Sequence, residues 1–227
     1  MICAVHQPDF LPYLGFFDKF AHSDMFVLYD TAQYSKGGFH NRNRINTPHG
    51  PMWLTVPVHV RYRQSIKQVA LADRNFIRSH LRTLEFQYKR AKFFESNFES
   101  IERIYKTFAL QLLTDFNKQL LFYFFELFGK PVKVVMASDL GLDPGKKANE
   151  ALLEIAEKVG ASTYLSGPGG RDYIDERTFA ERGIQVAWRQ FQYPVYEQPW
   201  REFIPNLSVI DALFNVGPQG LRRFFPP

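Results

Sequence analysis

The chain has 227 residues, 45% of them hydrophobic and 22% charged, with 28 basic against 23 acidic side chains for a net charge of +5. That apolar fraction excludes a disordered chain and supports a sizeable packed core. The modest positive excess suits an anionic small molecule as well as it suits nucleic acid, and the single cysteine, Cys3, excludes an internal disulfide.

Ile2 to Val5 is a short apolar run that ends in His6-Gln7-Pro8. It is too short for a secretory signal and breaks at His6, so it reads as a strand. No stretch reaches the ~18–20 uninterrupted apolar residues of a membrane span. The richest, LLFYFF, is closely flanked by Lys118 and Glu126. With Cys3 read as a small buried hydrophobe in a reducing compartment, the expected location is cytoplasmic. A Pro-rich turn follows, then a helix with Leu11, Leu14, Phe17 and Phe20 on one side, and a second buried strand from Met25 to Tyr29 ending at Asp30. Strand, helix and strand in short succession predict parallel pairing through a right-handed crossover. Ligands of such sheets sit off the carboxyl ends of the strands, which is where His6, Gln7 and Asp9, and then Asp30, Gln33 and Lys36, fall.

The polar stretch TAQYSKGGFHNRNRINTPHGPMW reads as a long binding loop. It leads into the alternating strand WLTVPV, which Pro57 places at an edge, and SIKQVAL pairs with it as a hairpin across Arg61 and Arg63. A helix opens at Asn75, and Phe98 to Phe128 reads as one long helix or two abutting ones, closed by Gly129-Lys130-Pro131. The many phenylalanines here read as aromatic core. Val132 to Met136 is a strand, KKANEALLEIAEKVG a helix capped by Gly160, and Thr163 to Leu165 a buried strand running into SGPGGRDY. A helix from Asp175 to Arg182, a strand from Ile184 to Trp188 and a short helix from Leu207 to Phe214 complete the chain. The pattern predicts one α/β domain over 1–227, a Rossmann-like three-layer parallel or mixed sheet with a helical insertion at 75–130.

His6, at the end of a buried strand, is the candidate general acid or base. Asp9 reads either as a helix N-cap ahead of Leu11 or as a substrate contact. SGPGGRD has neither the dinucleotide nor the phosphate-loop spacing. Even so, Ser166, Gly167, Gly169 and Gly170 let backbone approach a ligand closely, and Arg171 adds a fork suited to phosphate or carboxylate, with Asp172 and Tyr173 beside it. Lys36, His40, Asn41, Arg42, Asn43 and Arg44 supply further cations and amides. The histidines occur singly and no cysteine pair exists, so neither a metal site nor a cofactor is expected. Without a GxSxG elbow, and with Cys3 inside a strand, covalent catalysis is not expected either. Nucleic acid would require a basic stripe with exposed aromatics; only Tyr88 to Phe94 offers one, and it reads instead as a helix junction with solvated charges.

Four blocks in order, HQPDFLPYLGFFDKF, then DTAQYSK with NRNRI and WLTVPV, then YLSGPGGRDYIDERTFAERGIQV, and YPVYEQPWREFIPNLSVIDALFNVGP, resemble the WbqC-like family of bacterial proteins. The resemblance implies an association with surface-polysaccharide (O-antigen) gene clusters and the attachment of an acyl or aminoacyl group to a nucleotide-linked amino sugar. It carries over His6, Gln7, Gly15, Lys36, Asn41, Arg42, Asn43, Ser166, Gly167, Arg171, Asp172, Tyr173 and Asn215. The first block is also similar to the HxGH-type loop of nucleotidyltransferases, without its second histidine. Some members of the family carry Cys where this chain has Val216, and a mechanism built on that cysteine does not operate here. The expectation is therefore a transferase on a nucleotide or nucleotide-sugar, with His6 as base and Lys36, Arg42 and Arg171 against phosphate. The alternatives are a nucleotidyltransferase-like enzyme or a non-catalytic ligand-binding or scaffold protein, the last with exposed aromatics around Tyr193, Tyr196 and Trp200.

Overall fold

The computed structural model describes residues 1–109, 111–200 and 202–225. In chain order its elements are β1 (Ile2–His6), α1 (Leu14–Ala21), β2 (Met25–Leu28), β3 (Arg42–Ile45), β4 (Met52–Thr55), β5 (Val58–His59), β6 (Ala70–Leu71), α2 (Asn75–Tyr88), α3 (Phe94–Thr107), α4 (Leu113–Phe128), β7 (Lys133–Met136), α5 (Ala148–Lys158), β8 (Thr163–Ser166), α6 (Glu176–Ala180), β9 (Gln185–Trp188) and α7 (Val209–Arg223). They gather into two compact units. The first contains Met1–Gln7, Gly15–Ala32 and Lys130–Gln192; the second contains Pro8–Leu14, Gln33–Gly129 and the chain from Tyr193 onward.

The first unit is built on one sheet in the order β7-β2-β1-β8-β9, parallel throughout rather than mixed. A central parallel strand is buried on both faces, which is why β1 and β2 read as unbroken apolar runs. Alternation then sorts their side chains. Cys3, Val5, Met25, Val27 and Tyr164 share one core cluster with Leu152 and Ile155 of α5 and Phe179 of α6. Phe26, one residue out of step, meets Phe16 and Phe20 of α1 at ring distances of 5.3 and 5.7 Å. Helices thus clad both faces, giving the three-layer Rossmann-like architecture. Burial pushes the Cys3 thiol up to about 12, so it is an inert packing group. α1 begins at Leu14, not Leu11: Leu11 has φ +42 and precedes Pro12, a position that disfavours helix.

In the second unit, part of the expected long loop is a strand. β3 pairs antiparallel with β4, Arg42 opposite Thr55 and Ile45 opposite Met52, with Asn43 and Ile45 turned inward. The hairpin beyond it is shorter than expected, because Ile66–Gln68 forms a 3₁₀ turn and only Ala70–Leu71 pairs with β5. Two helices, α3 and α4, occupy the span read as one or two, and α3 starts earlier, at Phe94. α7 continues past Gly217 through a kink, where φ is +68 and the Phe93 ring leaves no room for a Cβ. The phenylalanines do pack: Phe116 lies within 4.9–6.1 Å, ring to ring, of Phe10, Phe76, Tyr105 and Phe108.

His80 sits in that cluster with its Nε2 2.9 Å from the Thr55 carbonyl and Nδ1 3.3 Å from the Tyr105 hydroxyl. A carbonyl only accepts, so Nε2 carries the proton and the ring is neutral. Burial lowers its pKa to about 4, below the ~6.5 of an unfolded histidine. The unfolded chain therefore takes the proton first as pH falls. His80 contributes stability in full above about pH 6.5, and this is lost on acidification toward 4, amounting to about 3 kcal/mol. Urea unfolding between pH 4 and 7.5 should show that loss, and His80→Gln should flatten the slope over this window.

Candidate functional site

Within the first unit, β1 runs to β2 on one side through α1, while β8 and β9 lie on the other side. The switch point of the sheet is therefore between β1 and β8, where open parallel sheets place ligands. The pairing of Ile2 with Thr163 and Ala4 with Leu165 brings His6 level with Gly167 as the register is continued. His6 is half-buried, its ring 4.6 Å from that of Phe16, and its Nδ1 lies 3.1 Å from the Gln7 carbonyl. A carbonyl only accepts, so Nδ1 is the donor in that contact. One strand over, Asp30 is buried and accepts the Ser138 amide at 2.9 Å, joining the end of β2 to the turn after β7.

From Ser166 the chain enters a 3₁₀ turn over Pro168–Asp172. Its glycines differ. Gly167 and Gly169 have open space where a Cβ would stand, so their backbone is accessible to a ligand. Gly170 is packed: a Cβ there would collide with Ser166 Oγ and lie 2.8 Å from Ile174 Cδ1. Arg171 stacks its guanidinium 4.5 Å over the Trp188 ring, which is itself fixed by a 2.7 Å bond from Nε1 to Glu176. Stacking pre-orders the fork while leaving its donors available, and Asp172 and Tyr173 lie exposed beside it. Thus His6, Gln7, Ser166, Gly167, Gly169, Gly170, Arg171, Asp172 and Tyr173 all belong to the carboxyl-end rim of one sheet.

The remaining candidates lie in the second unit. Asp9 is not a helix cap. Its Oδ1 is 3.0 Å from Nδ1 of His40, and both residues are buried. Asn41 accepts from Tyr34 OH and donates to the Val56 carbonyl, both at 2.8 Å. Asn43 donates to the Leu11 carbonyl at 2.8 Å and accepts the Arg44 amide. These two amides shape the loops that carry Asp9 and His40. Arg42 lies 4.2 Å over Trp53 and donates to the Gly37 carbonyl, and Lys36 is exposed on the same turn. Asn215 donates to the Asp211 carbonyl at 2.8 Å inside α7.

Three residues gain roles that the sequence did not signal. His40 pairs with an aspartate 31 positions away. Asn117 donates to the carbonyls of Pro8 and His40, both at 2.7 Å. Asp211 is a fully buried carboxylate. Of the aromatics expected to be exposed in a scaffold protein, Tyr196 is buried with its hydroxyl on Asp211, while Tyr193 and Trp200 are half-buried; the segment from Tyr88 to Phe94 joins α2 to α3, as a helix junction. Among the described residues no group of three His, Cys, Asp or Glu side chains is arranged to hold a metal ion, and no helix is long and apolar enough to cross a membrane.

A parallel sheet wound in both directions, with helices on both faces, defines a doubly wound α/β protein. The model of the WbqC-like protein family matches residues 7–223, and the chain belongs to that family. A protein of Mycobacterium tuberculosis (strain ATCC 25618 / H37Rv), described as uncharacterized protein Rv1507c, is 36% identical over 219 residues, 95% of this chain and 94% of its own.

The two kinds of glycine separate experimentally. Gly170→Ala should lower stability by about 1–3 kcal/mol through overpacking. Gly167→Ala and Gly169→Ala should leave stability within about 0.5 kcal/mol. Thermal unfolding of the three variants reads the difference.

Proposed function

We propose that the protein is a transferase that binds a nucleotide-linked sugar or amino sugar at the rim of the first unit's sheet and takes part in acyl or aminoacyl transfer to it, in bacterial surface-polysaccharide biosynthesis. The observation that carries the reading is the register placing His6 level with Gly167 at the β1–β8 switch point, with Arg171 held on Trp188 near by. A pyrophosphate needs cationic donors and close backbone approach, and Arg171 with the open Gly167 and Gly169 offers both. Gln7, Ser166, Asp172 and Tyr173 supply polar groups for a sugar, and His6 supplies a basic nitrogen at the same rim. Lys36, Asn41, Arg42 and Asn43, which the resemblance carries over, lie in the second unit. The pathway part of the reading rests on the resemblance read from the sequence, which implies an association with surface-polysaccharide gene clusters.

The test is a thermal-shift screen against nucleotides, nucleotide-sugars and acyl donors. A ligand at 100 times its Kd stabilises by about 2.7 kcal/mol, which is roughly 5–10 °C for a chain of this size. The shift should appear with a nucleotide-sugar and vanish in Arg171→Ala. On the substrate so found, His6→Ala should lower kcat by about 10²–10⁴-fold. A folded sample that shifts with none of these ligands would overturn the reading.

A further inference from the structure

We infer that the outward face of the β3–β4 hairpin binds single-stranded nucleic acid, with Arg42 and Arg44 against successive phosphates and Trp53 and Phe39 against the bases. This surface is made by the second unit alone and does not depend on the transferase reading.

Alternation decides which side chains share the face. Asn43, Ile45 and Leu54 turn inward and are buried, so Arg42, Arg44, Trp53 and Thr55 turn outward. Pairing sets Arg44 opposite Trp53 and Arg42 opposite Thr55, which puts both guanidinium groups beside one indole. They lie 6.0 Å (Arg44) and 4.2 Å (Arg42) from its ring centre. Phe39 adds a second ring 5.9 Å from the first; Phe39 is 47% exposed and Trp53 42%. Sequence spacing hides this stripe, because its members come from two strands and from the turn before them.

The arginines are held by the indole and not by ion pairs. Among the described residues neither Arg42 nor Arg44 has a carboxylate within salt-bridge reach. Arg42 donates to the Gly37 carbonyl, which ties it to the turn carrying the exposed Lys36. The Nε atom of each arginine is buried without a partner. Nor does the surrounding chain supply a neutralising group. Residues 31–72 contain no Asp or Glu, against Lys36, Arg42, Arg44, Arg61, Arg63 and Lys67. Like charges kept together without partners repel one another, and a polyanion relieves that repulsion.

Two features select a nucleic acid strand among polyanions. Arg42 and Arg44 are two residues apart on one β-strand, about 7 Å by its rise, which is close to the separation of successive phosphates in an extended single strand. A guanidinium stacked on an indole, with a further ring beside it, is a platform for bases whatever their sequence. A duplex keeps its bases inside and would leave the rings unused. A bilayer would be met by bare apolar side chains rather than by a ring capped with cations.

The test is fluorescence anisotropy of a labelled oligothymidylate, titrated with the full chain over a range of salt concentrations. The logarithm of the affinity should fall against the logarithm of salt with a slope of about −2, as phosphate contacts from Lys36, Arg42 and Arg44 require. Arg42→Ala with Arg44→Ala should bring that slope to about −0.7. Arg42→Lys with Arg44→Lys keeps the charge but removes the stacked forks, and should keep the slope while losing affinity. Trp53→Ala should weaken binding about 5–150-fold at fixed salt, and Trp53→Phe should restore most of it. Lys89→Ala with Lys92→Ala removes the same charge from the α2–α3 junction and should leave affinity and slope unchanged. Equal losses in the two double-alanine variants would show attraction by net charge alone and overturn the site. Full affinity in the double-lysine variant, no binding by the wild type, or binding to anionic lipid vesicles in place of the oligonucleotide would overturn it too. Arg171→Ala should bind the oligonucleotide as the wild type does, so this surface and the nucleotide-sugar rim fail separately.

Discussion

A buried loop without regular structure must satisfy its backbone polar groups one at a time, and the second unit is arranged around one such loop. Pro8 to Pro12 is buried throughout, yet it is neither helix nor strand. Two prolines withhold two amide donors, and the carbonyls still need partners. Asn117 of α4 takes Pro8, Asn43 of β3 takes Leu11, and the amide of Val209 at the start of α7 takes Pro12 at 2.9 Å. The Ser208 amide in turn donates to the Arg44 carbonyl at 2.8 Å, tying the entry of α7 to β3. A helix from the middle of the chain, a strand from the polar stretch and the last helix all converge on five residues. An unmade bond to any of these carbonyls would leave a buried acceptor unpaired, at a cost of about 1–3 kcal/mol.

That dependence explains how much of the structure was legible in the sequence. The sheet was, because parallel strands buried on both faces write themselves as apolar runs such as Cys3 to Val5 and Met25 to Leu28. Helix ends were legible where a local signal exists: Gly129 and Gly160 adopt φ of +64 and +70 just past α4 and α5, and Asp175 caps α6 through its side chain. The rim residues followed from the ends of the strands. The partners of the buried loop were not legible, since the Asn117–Pro8 bond spans 109 positions and no local pattern encodes it. β3 was hidden for a related reason. Its sequence, Arg-Asn-Arg-Ile, alternates in burial but not in hydrophobicity, because an asparagine turns inward to serve the loop. A polar residue at an inward position reads as loop unless its acceptor is known.

The same limit applied to the buried acids. Asp211, 0% exposed, accepts from Tyr88 OH at 2.8 Å, Tyr196 OH at 2.9 Å and Gln198 Nε2 at 2.9 Å. Tyr88 OH also accepts the Asn46 amide at 2.8 Å, so one carboxyl group organises residues from β3's exit, α2, the segment after Tyr193, and α7. Burial raises its pKa, and the four side-chain bonds only partly oppose that. In sequence, Asp211 is one acidic residue in a short amphipathic helix and gives no sign of this.

The two buried carboxylates of the second unit, Asp9 and Asp211, meet different kinds of partner. Asp211 accepts from the hydroxyls of Tyr88 and Tyr196 and from the amide of Gln198, groups that hold it by hydrogen bonds alone. Such an assembly specifies packing and can do little else. Asp9 faces an imidazole, the one neutral side chain that gains a proton readily near pH 7 and whose charged form a carboxylate stabilises. Both carboxylates are held by groups remote in sequence, 31 positions away for His40 on Asp9 and 123 for Tyr88 on Asp211, so each ties together segments that no local signal joins.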